Sequence, residues 1–171
     1  MQIMVKNDAT FAPAPAGTHA AVCVDVIDHG MVDVSYQGKI ERKQQISVVW
    51  QIDENRDDGK PFLLRRRYNA TLRHKSSLKR DLENWRGRPF TAKELEEGFN
   101  MENLLSAGCL INVVHETRNG ETYANVNSIM RLTKGTAAPT PRDYVRVSDR
   151  PPAQREAANA KPEITDDDVP F

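Results

Sequence analysis

The feature that most constrains the fold of this chain is a period-two alternation of apolar and polar residues between positions 18 and 134. Successive side chains of a β-strand point to opposite faces, so this alternation is typical of strands. The pattern predicts five strands, at 20–26, 46–52, 62–72, 109–113 and 124–132. Turn signals separate two pairs of them, Asp58-Gly59 and Asn119-Gly120. The chain is therefore predicted to be mainly β.

One helical section interrupts the strands between the third and the fourth. Leu78, Leu82 and Trp85 recur at positions i, i+4 and i+7, which places them on one face of a helix. Capping and helix-ending residues flank this stretch, with Ser76 or Ser77 at its start and Gly87 with Pro89 at its end.

A second short helix follows the first. Thr91 and Glu94 have the spacing of a capping box, and Gly98 closes the segment. Three strands, a helical section and two further strands occur in the order of an OB-fold, a small, partly open β-barrel that binds oligonucleotides and oligosaccharides. We therefore predict a five-stranded OB-fold with a helical insertion between strands 3 and 4.

The composition divides the chain into three parts. Residues 1–17 form a loose lead-in rich in alanine and proline, and residues 18–134 form the predicted OB-fold domain. Residues 135–171 hold six of the ten prolines and few large apolar side chains. Such a segment buries too little surface to offset its ordering entropy, so we predict a disordered tail that ends in an acidic tip.

Several classes of protein do not fit this composition. No apolar run approaches the roughly 20 residues of a membrane helix, and the first residues do not resemble a secretory signal. Cys23 and Cys109 lie far apart in apolar runs, which favours two buried thiols in a reducing compartment over a disulfide or a zinc site. We therefore expect a cytoplasmic protein without a membrane partner.

The formal net charge is zero, but the charges are unevenly distributed. Residues 60–88 hold ten lysines and arginines and two acids, while residues 163–171 hold four acids and no base. The basic stretch begins on the third predicted strand, within the usual binding face of an OB-fold. Guanidinium and ammonium groups there suit phosphates. The candidate phosphate contacts are Arg65 and Arg67 on this strand, Arg73 and Lys75 after it, and Lys39 and Lys43, which precede the second strand and extend the same track.

Unpaired bases also need flat surfaces on which they can stack. The aromatic candidates are Tyr36, Trp50, Tyr68 and Tyr123. Tyr36 lies in a loop-like stretch, and Tyr123 shares its face with asparagines. Trp50 and Tyr68 share parity with aliphatic residues, so the alternation also favours a place for them in the core. Arg66 has the same parity as these apolar residues, so its side chain is predicted to point to the core. We therefore expect either a bulge that turns Arg66 outward or a carboxylate that pairs with it.

The sequence holds no recognisable catalytic arrangement. Its four histidines are scattered, no serine lies in a nucleophile motif, and there is no glycine-rich phosphate loop. Asp25, Asp28 and Asp33 are conceivable metal ligands, but the polar edge of a strand and turn explains them more simply. We predict a protein that is not an enzyme and needs no metal or other cofactor.

The last six residues resemble the acidic tip of bacterial single-stranded-DNA-binding proteins. They are Asp166, Asp167, Asp168, Val169, Pro170 and Phe171, with valine where isoleucine is commonest in those proteins. The resemblance implies that Phe171 and Pro170 fill an apolar pocket on a partner, while the aspartates attract its basic rim. The partners implied are replication and recombination proteins.

The body resembles a different group, the OB-fold single-stranded-DNA-binding proteins of phages and prophages. The stretches that carry the likeness are YNATLRHKSSLKRDL at 68–82 and WRGRPFT at 85–91. It implies a protein that coats single-stranded DNA, without strong sequence preference, during phage replication or recombination in the host cytoplasm. An RNA-binding OB-fold module, a protein-interaction adaptor and a metal-dependent nuclease are the alternatives.

Overall fold

The computed structural model describes residues 12–153, whose main element is a five-stranded antiparallel sheet. Its strands in chain order are β1 (Gly17–Tyr36), β2 (Lys39–Asn55), β3 (Pro61–Asn69), β4 (Gly108–Arg118) and β5 (Glu121–Met130). Their order across the sheet is β3-β2-β1-β4-β5. The prediction of a mainly β fold with five strands is confirmed.

Strand β1 is long and bends at two irregularities. Its register against β2 shifts between Cys23 and Asp25 and again between Asp28 and Gly30. An extra residue in one strand increases its local twist and bends it. Residues 17–22 of β1 pair with β4, and from Ala21 onward β1 pairs with β2, so that its last part forms a long hairpin with β2 alone.

The predicted helical section is confirmed between β3 and β4. Helix α1 (Ser77–Arg86) is capped by Ser76, whose side chain accepts a hydrogen bond from the Lys79 amide, and it ends at Gly87 with φ of 74°. Helix α2 (Ala92–Glu97) begins with a complete capping box. A short 3-10 helix, Met101–Leu104, leads into β4.

The main core lies between the inner face of the sheet and α1. Trp50 from β2 packs against Trp85 from α1, with ring centroids 5.9 Å apart. The Trp85 indole donates to the Gly108 carbonyl oxygen at 2.9 Å. Cys23 and Cys109 are free and buried in this core, as predicted. Burial raises the pKa of the Cys23 thiol to about 12 and also raises that of Cys109.

A second, smaller apolar cluster covers the opposite face of β1 and β2. Val22, Val24, Ile27 and Val49 pack there with Val147 from the segment after β5. This segment also contacts the sheet at Asp25. The prediction that residues 135–171 are disordered is therefore wrong for residues 142–150. These residues pack on the apolar cluster of β1 and β2.

The two edge strands, β3 and β5, approach each other without pairing. Within residues 12–153 no backbone ladder joins them, so the sheet is not closed as a barrel. A buried arginine spans the gap instead, because Arg66 Nη1 on β3 donates to the Val126 carbonyl oxygen on β5 at 3.0 Å. The same guanidinium lies 3.4 Å from Asp81, so Arg66 has the carboxylate partner that its core parity requires.

In the part of the chain described here, no helix has the length and apolar character needed to cross a membrane.

Candidate nucleic-acid interface

A short loop between β3 and α1 is held in one conformation by its own polar groups. Ala70 N donates to the Gln44 carbonyl oxygen at 2.8 Å, which ties the loop to β2. Ser76 Oγ donates to the Thr71 carbonyl oxygen at 2.9 Å while it caps α1. The Arg73 amide in turn donates to Thr71 Oγ1 at 3.2 Å. These bonds fix the backbone from which the loop's side chains project.

Three exposed side chains, those of Arg73, His74 and Lys75, project from this loop. Lys75 has a φ of 68°, in the left-handed region that residues other than glycine seldom adopt. The loop and the first part of β2 line a groove of about 770 Å³, here called the basic groove. Its lining residues are Glu41, Arg42, Lys43, Gln44, Asn69, Ala70, Thr71, Arg73, His74, Lys75 and Ser76.

Positive charge dominates the basic groove. Lys43 Nζ lies 3.7 Å from Glu41, the one carboxylate in the lining, and Arg42 lies 3.6 Å from Asp33. Both pairs are partly or largely exposed, so solvent screens them and they leave the cations accessible. Neither Arg73 nor Lys75 forms an ion pair with any residue between 12 and 153. The groove therefore offers cationic donors to an anion.

A smaller cavity of about 310 Å³, here called the side pocket, adjoins the basic groove. The two share Gln44, Ala70 and Thr71 as lining residues. The remaining walls are apolar and come from β2, α1 and the segments around them, namely Ile46, Leu72, Leu78, Phe99 and Met101. A cationic groove and an apolar pocket are thus contiguous.

The structure brings three of the predicted phosphate contacts together, since Lys43, Arg73 and Lys75 all line the basic groove. Tyr36 and Lys39 do not line it. They pair with each other at the tip of the β1–β2 hairpin, where Tyr36 is 39% exposed. Tyr36 was expected in a loop, but it is the last residue of β1, because the turn falls at Gln37 and Gly38.

The prediction that Trp50 and Tyr68 stack on bases is wrong, because neither side chain is accessible. Trp50 is fully buried in the core, and Tyr68 is 1% exposed. The Tyr68 hydroxyl donates to Asp81 Oδ2 at 2.7 Å, and burial with the nearby carboxylate raises the pKa of Tyr68 well above its ordinary value. Trp50 and Tyr68 are buried because they alternate in phase with aliphatic residues, and these side chains all point to the core face of the sheet.

The alternation correctly places Arg65 and Arg67 on the face opposite the core, but it does not make both accessible. Arg67 is only 7% exposed. Arg65 is half-buried, with Nη2 at 3.3 Å from His29 Nε2, and that ring nitrogen lies 2.7 Å from Ser47 Oγ. The face that carries them is packed rather than open, so the cations of the loop, and not these strand arginines, are the accessible ones.

Tyr123 lies on β5 and is 45% exposed. Its hydroxyl donates to Glu121 Oε2 at 2.7 Å, and this hydrogen bond raises the pKa of Tyr123. The residue does not line the basic groove. The predicted partner-binding residues, Asp166, Asp167, Asp168, Val169, Pro170 and Phe171, lie outside the described part of the chain.

The three aspartates considered as metal ligands have other partners. Asp25 binds the segment after β5, Asp28 Oδ1 accepts from the Gly30 amide at 2.8 Å, and Asp33 faces Arg42. Among residues 12–153 no group of His, Cys, Asp and Glu side chains is placed to hold a metal ion.

Sequence reasoning missed the polar framework of the loop and the whole side pocket. Thr71 and Ser76 hold the loop, and only the role of Ser76 as a cap had a visible signal. Phe99 and Met101 follow Gly98 without any periodicity, so nothing local places them beside β2 and the loop.

The chain matches no known protein-family model and no curated protein.

Proposed function

We propose that this protein binds single-stranded DNA through the basic groove, without strong sequence preference and without catalysis. The observation that carries the proposal is the loop between β3 and α1, which holds Arg73 and Lys75 beside Lys43 with no carboxylate paired to either loop cation among the described residues. Guanidinium and ammonium groups bind phosphates by charge and hydrogen bonding. A fixed loop loses little entropy when it does so.

We further propose that the sheet is an OB-fold in a partly open form. The central position of β1 between β2 and β4, the edge positions of β3 and β5, and the helix between β3 and β4 support this assignment. The contact between Arg66 and Val126 links the edges at the place where a closed barrel has paired strands. The loop before α1 then borders the nucleic-acid face of the fold.

The acidic tip completes the proposal. On the strength of its resemblance to the bacterial tips, residues 166–171 recruit replication or recombination proteins to DNA that the folded part has bound. The cellular setting proposed is the cytoplasm of a bacterial host, with the chain encoded by a phage or prophage.

The first experiment measures binding of labelled oligothymidine by fluorescence anisotropy at several salt concentrations. We expect affinity to fall linearly on a log–log plot, by roughly 0.7 per phosphate neutralised, because phosphate binding releases counterions. The double variant Arg73→Ala with Lys75→Ala should flatten this slope by about 1.4, if each cation neutralises one phosphate. Oligouridine and duplex DNA of equal length serve as competitors.

The matched control removes two exposed lysines elsewhere, Lys93→Ala with Lys134→Ala, and thus the same formal charge. We expect its salt slope to equal that of the unaltered protein. If the loop variant has the same salt slope as this control, the phosphate-binding site lies outside the basic groove. Failure of the protein to bind oligothymidine in dilute salt would refute the function, and tighter binding of oligouridine would favour RNA as the ligand.

A further inference from the structure

We infer that the side pocket is a nucleobase subsite, which takes one unstacked base from a strand whose phosphates lie in the basic groove. This inference rests on the proposed function. Its basis is the contiguity of a cationic groove with an apolar pocket, because nucleotides combine an anionic phosphate with a base that has apolar faces. The shared lining residues, Gln44, Ala70 and Thr71, form the border between the two.

The walls of the side pocket have the chemistry that a base face requires. Phe99, Leu72 and Met101 are each only partly buried, although all three pack against the core. All three line the side pocket. The Phe99 ring is held edge-on against Phe90, with centroids 5.7 Å apart, so it offers an ordered aromatic surface. Bases stack on such rings regardless of their identity.

The size and charge of the site favour a base over other apolar ligands. A volume of about 310 Å³ is at the small end of ligand pockets and too small for a helix or a long peptide. Lys43, Arg73 and Lys75 line the adjoining basic groove, so a ligand that spans both sites carries negative charge beside its apolar part. The exposed Gln44 side chain lies at the border; its Nε2 donates to Asp28 Oδ1 at 3.4 Å, and its Oε1 can accept a hydrogen bond from the polar edge of a base.

The first test uses the unaltered full chain and oligothymidine in which some thymines are replaced by 5-iodouracil. Ultraviolet light cross-links this base to aromatic and sulfur-containing side chains that touch it. We expect peptide mapping to find the label on Phe99 or Met101. Labels confined to Tyr36 or Tyr123 would overturn the inference while leaving binding of single-stranded DNA intact.

The second test fills the pocket with Ala70→Phe and uses Ala92→Phe, at an exposed position of α2, as the matched control. The ligands are oligothymidine and a chain of the same length made only of abasic sites. We expect the unaltered protein and the control to prefer oligothymidine by about tenfold, the size of one stacked base. The filled variant should lose that preference and bind the two chains equally.

The outcomes separate the two proposals. Equal binding of both chains by the unaltered protein would overturn the base subsite and leave phosphate binding in place. If the filled variant keeps the tenfold preference for oligothymidine, the base contacts lie outside the side pocket and the inference is overturned. Absence of binding to either chain in dilute salt would refute the function itself. Circular dichroism checks the fold of each variant, and cross-linking decides the matter if Ala70→Phe does not fold.

Discussion

At the scale of single residues, buried charges have structural partners, whereas the candidate binding charges are exposed. Arg66 and Asp81 are both nearly inaccessible, and each has further hydrogen bonds, from Arg66 to Val126 and from Tyr68 to Asp81. A buried charge is tolerated only with such partners. The +8 stretch between residues 60 and 88 therefore contains two kinds of cation, and only its exposed members are available to a ligand.

The buried ion pair of Arg66 and Asp81 contributes to stability, and this contribution can be measured. Asp81→Asn should lower the free energy of unfolding by about 3–5 kcal/mol, because it leaves the Arg66 guanidinium buried without its counter-charge. Urea unfolding followed by tryptophan fluorescence measures the change. Glu97→Gln is the control, since its pair with Lys93 is largely exposed, and its midpoint should not move. Equal midpoints for the two variants would contradict the role given to Asp81.

At the scale of elements, local signals determine where the helices begin and end. Ser76, Gly87 and the Thr91–Glu94 capping box occupy the positions that the sequence predicts. One carboxylate then joins these elements, because Glu83 in α1 accepts from the Phe90 amide at 2.7 Å and from Lys79 Nζ at 3.0 Å. These bonds hold the pKa of Glu83 below its ordinary value.

The Glu83 contacts predict a pH dependence. A carboxyl group whose pKa is lowered by folding adds stability above its ordinary pKa, and this is lost as pH falls through the lowered pKa. Glu83→Gln should therefore destabilise the protein by roughly 1 kcal/mol at pH 7, and the gap to the unaltered protein should shrink in acid. Thermal unfolding at pH 7 and pH 3 measures it, with Glu96→Gln as the control. A gap of constant size would contradict the assignment.

At the scale of the whole molecule, a segment far along the chain completes the outer face of the sheet. Asp25 on β1 is 1% exposed and accepts hydrogen bonds from the Tyr144 hydroxyl at 2.8 Å, the Val147 amide at 2.9 Å and Arg146 Nε at 3.1 Å. Arg146 also binds Glu102, so the segment connects β1 with the 3-10 helix before β4.

Removal of this segment gives the whole-molecule prediction. A chain that ends at residue 141 should be less stable than one that ends at residue 153 by at least about 3 kcal/mol, since Val147 and its apolar neighbours lose their burial and Asp25 loses its donors. Chemical unfolding of both truncated chains measures the difference. The chain ending at 153 is the control for loss of the acidic tip, and equal stability of the two chains would show that the segment contributes nothing.

The local order of elements was predictable because its causes are local. Alternation, capping residues and the Asn119-Gly120 turn each act over a few positions. The extent of β1 was not predictable, because the shifts of register near Val24 and His29 change the phase of the alternation within one strand. The apolar residues of β1 therefore lie on both faces of the sheet. Odd and even positions both contribute to the main core, so alternation along the whole strand does not identify the core residues.

The sequence alone determined the mainly β character, the five strands in their order, the capped helices between the third and fourth, and the basic stretch that begins at β3. Tertiary structure alone decided which charges are accessible. It buried Arg67, Trp50 and Tyr68, exposed Arg73 and Lys75 beside Lys43, and placed Phe99 and Met101 next to the groove. The physical reason is that propensity and periodicity act between near neighbours, whereas burial depends on segments that meet only when the chain has folded.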